Sequence, residues 1–352
     1  MSPVTDPPPL QLIVGARGHG VVEYAVDIAS ALEAADSRTQ VALVGDVAHA
    51  IRHASVTAST HVHVTDGLLG RSPEEAALNL ERLAAVTRLT ITGHDLPQTS
   101  DGTTLPRRAA AYTRFFTAAD ATVVNSRHEQ QLVADFLPGV ARPHAIPLGS
   151  RVAAVPQTRA AEPIAGGARD LVVLIAGYIY PGKGHAQAIR AAAEAADSLR
   201  AAGDNVGAVV VRAIGGPSAG HEGDVAALRA EAEARGIRFE ATGFLDDEQF
   251  ARRIADDGIP LAAHEHVSAS RSMLDWVEAG RRPLVVGSRY AEEMDALRPG
   301  TITLYDGELP QRLVEAWRVP AMTRLAPGTL LAPSLADVAE QYRAWWDAMA
   351  TR

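Results

Sequence analysis

The alternation of short apolar runs with stretches of helical periodicity constrains the fold of this chain more than any other feature. The apolar run Leu10–Val14 is followed by Val21–Glu33, whose apolar residues recur at helical spacing. Short strands that alternate with helices form βαβ units, and these build a parallel sheet covered by helices on both faces. Further strands are predicted at 40–44, 61–64, 88–92, 121–125 and 144–147, and further helices at 73–85, 107–118 and 128–136.

The alternation stops at residues 151–168 and then starts again. This segment has two prolines, a glycine pair and no periodicity, which is typical of a linker. After it, a buried type of strand at Leu171–Ala176 is followed by a long helix at Gly184–Arg200. Further strands are predicted at 208–214, 239–242, 259–263 and 284–286, and further helices at 222–235, 246–255 and 272–279.

These patterns predict an α/β protein with two Rossmann-like, doubly wound parallel-sheet domains that face a cleft. The expected domains are 1–150 and 169–334, joined by the linker 151–168, and the length of 352 residues fits two domains. A last helix, 335–352, carries Tyr342, Trp345 and Trp346 with no strand after it. We expect this helix to pack back on the N-terminal domain.

Charge and composition narrow the class of protein. The net charge is -9 and neither half of the chain is basic, so the sequence disfavours a nucleic-acid partner and strong membrane association. The start resembles no signal peptide, and no apolar stretch approaches the ~20 residues of a membrane-spanning helix. A cytoplasmic protein is expected. Since the chain has no cysteine, it has neither disulfides nor thiolate metal sites.

The segment Gly177–Gly184, with the sequence GYIYPGKG, lies between a predicted buried strand and a predicted helix. Glycines let a ligand approach the backbone, and a helix N-terminus offers free N–H groups to an anion. Lys183, the only lysine beside 32 arginines, would add a compact cation. The segment therefore predicts a phosphate site, with a solvated βα turn as the alternative.

A second polar segment, HEHVSASRSMLD at 264–275, also joins a strand to a helix. Its serines suit helix N-cap positions, and Arg271 with the neighbouring amides could face a phosphate. His264 and His266 alternate along a strand and could share a face as metal ligands, but ordinary polar strand-end structure is the favoured interpretation. We expect no metal site.

Two histidine-containing segments follow strands of the first half. Gly18-His19-Gly20 opens a helix, but Glu23 stands where a dinucleotide-binding loop has its third glycine. His94 lies at the expected carboxyl edge of a strand, either as a cleft residue or as a structural histidine beside Asp95. The chain has no Gly-x-Ser-x-Gly, no Walker loop and no cysteine nucleophile, which removes the common hydrolase and P-loop interpretations.

Together these motifs resemble the retaining glycosyltransferases of family four, which have the GT-B fold, over nearly the whole chain. The resemblance implies that Gly20 touches the donor diphosphate and that His94 lies near the transferred sugar. Gly177–Gly184 matches the family's Gly-Arg-x-x-x-x-Lys-Gly, so that Lys183 binds the diphosphate beside Gly182, while Tyr178 replaces the usual arginine. The turn that contains Phe244 and Leu245 matches the segment that lines the nucleotide base.

The family's Glu-x7-Glu motif aligns with residues 267–275. Asp275 takes the position of the second, ribose-binding acid, whereas Val267 replaces the first acid, beside the donor sugar. Glu265 is expected to supply the lost carboxylate and Arg271 the lost positive charge. Ser270 and Ser272 lie in the same donor-binding segment.

The resemblance implies transfer of a hexose, with retention, from a nucleotide sugar to a hydroxyl of a saccharide or glycoconjugate. GDP-mannose and UDP-glucose are the favoured donors, no metal or other cofactor is expected, and His94, Lys183 and Arg271 are the expected catalytic residues. Two alternatives stay open: a nucleotide-sugar epimerase of the same fold, and a non-catalytic subunit that binds sugar nucleotides, which Val267 and Tyr178 would suit.

Overall fold

The computed structural model describes residues 7–157, 168–265 and 267–350. The chain divides into two units. Unit 1 comprises Met1–Arg151 with Ala332–Arg352, and unit 2 comprises Val152–Leu331. Residues 152–157 of the expected linker thus belong to unit 2, where Val155 is buried and its N–H donates to the carbonyl of Thr329 (2.9 Å). Residues 158–167 lie outside the described residues.

Strands and helices alternate along both units. The strands are β1 (Leu10–Val14), β2 (Val41–Val44), β3 (Ser59–Val64), β4 (Arg88–Gly93), β5 (Ala121–Val124), β6 (His144–Ala145), β7 (Arg169–Ala176), β8 (Val206–Ile214), β9 (Arg238–Ala241), β10 (Ile259–Ala262), β11 (Leu284–Val286) and β12 (Thr303–Tyr305). The α-helices are α1 (Gly20–Ala35), α2 (Val47–Ala54), α3 (Asp66–Leu69), α4 (Pro73–Ala84), α5 (Leu105–Ala118), α6 (Arg127–Phe136), α7 (His185–Ala201), α8 (Asp224–Ala234), α9 (Asp247–Ile254), α10 (Arg271–Glu278), α11 (Arg289–Leu297), α12 (Leu309–Arg318) and α13 (Leu335–Ala350).

Unit 1 is built on a six-stranded parallel sheet with the order β2-β1-β3-β4-β5-β6. Its central strands are buried almost throughout, because helices cover both faces of a parallel sheet. The C-terminal helix α13 packs on α1 in this unit. Tyr342 of α13 is fully buried and its hydroxyl lies 2.7 Å from Oγ1 of Thr92 on β4.

Unit 2 repeats the architecture with the strand order β12-β11-β10-β7-β8-β9, again parallel. The central strand β7 is flanked by β8 and β10, and helix α7 packs on the sheet. One stripe of α7 is wholly apolar and buried: Ala188, Ile189, Ala192, Ala195, Ala196 and Leu199. This spacing is that of one helix face, so burial of the stripe fixes how α7 lies on the sheet.

The predicted α/β class with two doubly wound parallel sheets is confirmed. Each predicted strand and helix is present, with ends that differ by at most two residues. The sequence did not predict α2, α3, α11, β12 or α12. None of the described helices is long and apolar enough to cross a membrane.

Candidate functional site

The loops after β7 and β10 meet at the carboxyl edge of the unit 2 sheet. Here the strand order reverses, because β7 pairs with β8 on one side and with β10 on the other. In open α/β sheets, ligands bind outside the carboxyl ends of strands at this kind of switch point. The backbone N–H of Glu265 donates to the carbonyl of Gly182 at 2.9 Å. The structure therefore joins the two polar segments that the sequence singled out.

The loop after β7 turns so tightly that glycine is required. Gly177 and Gly184 have φ of 99° and 94°, in the region that favours glycine. A Cβ on Gly184 would lie 2.6 Å from Cβ of Ala263, and a Cβ on Gly177 would lie 3.4 Å from Nζ of Lys183. The backbone conformation therefore brings Lys183 against the edge of the sheet.

Lys183 is buried at this edge, with 5% of its surface exposed. Its Nζ contacts Nε2 of His264 and donates to Oγ of Ser272 at 3.1 Å. Burial lowers the pKa of Lys183 to about 7, against which the charge of Asp275 acts. The lysine thus has an amine that changes charge near neutral pH.

Two serines form hydrogen bonds at the start of α10, beside Lys183. Ser270 is the N-cap: its Oγ accepts from the N–H of Met273 at 3.2 Å, and its own N–H donates to the hydroxyl of Tyr290 at 3.0 Å. Ser272 lies on the first turn and contacts Lys183. The free N–H groups and partial positive charge of this helix end therefore lie close to the lysine.

Arg271, expected to face a phosphate, forms an ion-pair cluster along α10. Its Nε donates to Oδ1 of Asp275 at 2.8 Å, and its NH2 group contacts Oε2 of Glu278. All three side chains are less than one-fifth exposed. A phosphate at Arg271 or a ribose at Asp275 therefore has to compete with this ion pair.

The other residues of the second segment, 264–275, lie in different environments. Val267 lines a small pocket with both apolar residues, such as Met273, and polar ones, such as Ser270, and as a valine it offers no carboxylate. Glu265 is exposed beside Gly182. His266 lies outside the described residues.

An aromatic pair lies on the surface of unit 2. The rings of Tyr178 and Phe244 meet edge to face, with centroids 5.7 Å apart, and 69% of Phe244 is exposed. Leu245, which the sequence grouped with Phe244, packs partly buried against the apolar cluster that contains Leu174 and Trp276. Of the two expected base-lining side chains, Phe244 is therefore the one that is open to solvent.

In unit 1, a carboxylate from the first turn of α1 already binds the loop before that helix. Gly20 begins α1, and His19 caps it through Nδ1, which accepts from the N–H of Val21 at 3.3 Å. The Glu23 carboxylate accepts from the N–H of Gly18 at 2.6 Å and pairs with Arg17 at 2.7 Å. A diphosphate at this loop has to displace or tolerate Glu23.

His94 is buried after β4, and both of its ring nitrogens are bonded. Its Nε2 lies 2.9 Å from Nδ1 of His63, and its Nδ1 lies 3.1 Å from Nδ2 of Asn125. Burial, and next the nearby His63, hold the pKa of His94 well below its ordinary value, so the imidazole is neutral. The sequence did not predict His63 and Asn125 as partners of His94, although both lie at the ends of neighbouring strands.

Comparison with known proteins identifies the architecture. No protein-family profile and no curated protein matches the sequence. Among solved structures, HepE of Anabaena in complex with UDP and glucose has a TM-score of 0.67 at 14% identity, over 97% of this chain and 98% of that one. Sucrose-phosphate synthase of Thermosynechococcus elongatus has a TM-score of 0.67 at 13% identity, over 96% and 93%. TarM of S. aureus has 0.56 at 9% identity, over 85% and 55%.

The chain has the GT-B fold. Within this GT-B chain, the predicted residues lie in two places. Those of unit 2 are on the loops and in the first turns of α10 at one sheet edge: Tyr178, Gly182, Lys183, Phe244, Leu245, Glu265, Ser270, Arg271, Ser272 and Asp275. Gly20 and His94 follow strands of unit 1. Among the described residues, no group of three or more His, Asp or Glu side chains could hold a metal ion.

Proposed function

We propose that the chain is a retaining glycosyltransferase that moves glucose from UDP-glucose to a hydroxyl of a saccharide or glycoconjugate. The observation that carries the proposal is the placement of Lys183, the only lysine, at the switch-point edge beside the start of α10. HepE binds UDP-glucose, and TarM was crystallised with UDP and α-GlcNAc-glycerol. None of these structures supports GDP-mannose, the other donor expected from the sequence.

In this proposal the diphosphate binds between Lys183 and the amides at the starts of α7 and α10. The leaving diphosphate gains negative charge as the glycosidic bond breaks, and preorganised positive groups stabilise that charge most in the transition state. The positive groups of the protein take the part of a metal ion. Arg271 contributes positive charge if donor binding breaks its ion pair with Asp275 or with Glu278.

The rest of the donor would be bound by residues around the same edge. Asp275 accepts hydrogen bonds from the ribose hydroxyls, and the exposed Glu265 reads the sugar hydroxyls in place of an acid at Val267. The exposed ring of Phe244, with Tyr178 against it, offers a surface on which the base can stack.

The chemical step is attack of the acceptor hydroxyl on the anomeric carbon of the donor. The acceptor's O–H proton passes to the leaving diphosphate as the bond to the anomeric carbon breaks, on the same face as the attack, so the configuration is retained. We propose Gly20 and His94 as donor-binding residues of unit 1. A neutral His94 replaces one of its two present hydrogen bonds, to His63 or to Asn125, with a hydrogen bond to the sugar. It thereby orients the sugar and does not act as the base.

The test is incubation with UDP-glucose, with and without a panel of oligosaccharide acceptors, followed by detection of UDP and of the anomeric configuration by NMR. Transfer that needs an acceptor and retains configuration supports the proposal. Conversion of the sugar without an acceptor indicates an epimerase, and binding without turnover indicates a non-catalytic subunit. Lys183→Ala should abolish transfer, whereas Arg190→Ala, on the exposed side of α7, should not.

A further inference from the structure

Lys183 and His264 form a nitrogen–nitrogen contact inside unit 2. Both side chains are more than nine-tenths buried, and Nζ of the lysine reaches Nε2 of the histidine. A lysine ammonium has only donors, and a doubly protonated imidazole also has only donors. Since a hydrogen bond needs an acceptor, the pair cannot hold this contact with both groups charged. The two side chains therefore share at most one positive charge.

The groups packed around Nζ come from three further directions. Ser272 accepts from it on α10, and the ring of Tyr180 lies 5.9 Å away on the loop after β7. His185, at the start of α7, has its pKa lowered by burial and then by Lys183. Asp275 on α10 favours a charged Lys183, but its carboxylate also pairs with Arg271. Desolvation therefore outweighs the attraction from Asp275.

We propose that His264 belongs to the diphosphate site, as a positioning residue for Lys183, and that the pair takes up one proton when a nucleoside diphosphate binds. This inference rests on the proposed function. The proton comes from the buffer and stays on Nζ. The ammonium then donates one N–H to a phosphate oxygen and another to Nε2 of His264, so no group changes oxidation state and no covalent bond forms.

The proposal sets a direction for the pH dependence of donor binding. A bound phosphate raises the pKa of Lys183 above its value of about 7. The affinity for the diphosphate is therefore highest below that pH and falls as the pH rises. We expect about a tenfold weakening per pH unit above about pH 7.5, and an uptake of about 0.9 proton per bound UDP at about pH 8.

The test is isothermal titration calorimetry of the full chain with UDP in two buffers of different ionisation enthalpy. At about pH 8 the terminal phosphate of UDP is already ionised, so it does not release a proton that would mask the uptake. His264→Ser gives Nζ a hydroxyl and room for water, which keeps Lys183 charged. This variant should take up less than about 0.3 proton and lose the steep pH dependence.

Three comparisons separate the possible results. His264→Asn repeats the test with a larger polar side chain if the serine variant does not fold. Lys183→Met should show no uptake, because it lacks the titrating amine. His53→Ser, an exposed site at the end of α2, should behave as the wild type.

Each contrary result points to a different error. Tight UDP binding with less than about 0.2 proton taken up would overturn the inference and leave the proposed function standing. Uptake that persists in both His264 variants would assign the proton to Lys183 alone and remove His264 from the site. Failure of the wild type to bind UDP at any pH would overturn the proposed function and the inference with it.

Discussion

Acidification from about pH 7.5 to about pH 5 should destabilise unit 1 strongly, because three histidines are buried in it without charge. His61, His63 and His94 are each less than 7% exposed. Burial lowers the pKa of His61 from 6.5 to about 3, and it holds the pKa of His63 and of His94 well below 6.5. The folded unit therefore keeps these rings neutral, whereas the unfolded chain protonates them as the pH falls through 6.5.

The size of the effect follows from proton linkage. Each ring that stays neutral in the folded state and titrates at 6.5 when unfolded costs about 2 kcal/mol of stability by pH 5. The three together cost about 6 kcal/mol, against a typical domain stability of about 5–15 kcal/mol. The carboxylates Asp36 and Glu74 have pKa values lowered to about 2, so their contribution is lost only at a lower pH.

Hydrogen exchange with mass spectrometry across this pH range measures the stability of each unit separately. As the pH falls, the free energy of opening in unit 1 should decrease with a slope that corresponds to about three protons. The variant His61→Gln, whose side chain can still reach Thr90 and Thr92, should reduce that slope by about one proton. His53→Gln on the surface of α2 is the matched control and should leave the slope unchanged. A unit 1 stability that does not change between pH 7 and pH 5 would refute the reasoning.

The remaining predictions concern donor binding and transfer. Lys183→Ala should weaken UDP binding at about pH 6 by roughly 10- to 150-fold in calorimetry with little change in Tm, and Lys183→Arg should also impair it; unchanged affinity would discard the role. Asp275→Asn should weaken UDP and UDP-glucose by the same factor, about 10- to 100-fold, whereas the exposed Asp247→Asn should affect neither; a selective loss of UDP-glucose would place Asp275 at the sugar. Glu265→Gln should slow transfer while UDP binding stays intact, and transfer at the wild-type rate would show that Glu265 does not read the sugar. Activity should survive excess EDTA, and an absolute need for added Mn²⁺ would contradict the proposed phosphate site.

Elements with a long apolar stripe or run, such as α7 and β7, carry the clearest sequence signal. The stripe of α7 gives a clear helical period, and the continuous apolar run of β7 is typical of a strand buried on both faces. Helix α2, which the sequence did not predict, buries only Ala50 and Ala54. Strand β12, also not predicted, is three residues long and lies at the edge of its sheet.

The two site segments of unit 2 could be found because the carboxyl ends of parallel strands meet at one edge of a sheet. The pairing of Arg271 with Asp275 was also readable, since residues four apart on a helix are neighbours. We predicted these two side chains as separate ligands of the donor, and their ion pair shows that each is also a partner of the other. The contact of Lys183 with His264 joins residues 81 positions apart, and no periodicity reveals it.

In the pattern that the sequence resembles, an arginine stands where this chain has Tyr178, so positive charge at the proposed phosphate site has to come from other groups. Arg271 is held by Asp275 and Glu278, so the charge offered to a diphosphate rests mainly on Lys183 and on the amides at the starts of α7 and α10. The amides keep their partial charge at every pH, whereas Lys183 loses its charge near neutral pH. At alkaline pH the affinity of the site should therefore fall to what the helix ends can hold alone. An arginine at this position, whose pKa is too high for it to lose its charge, would not give this pH dependence.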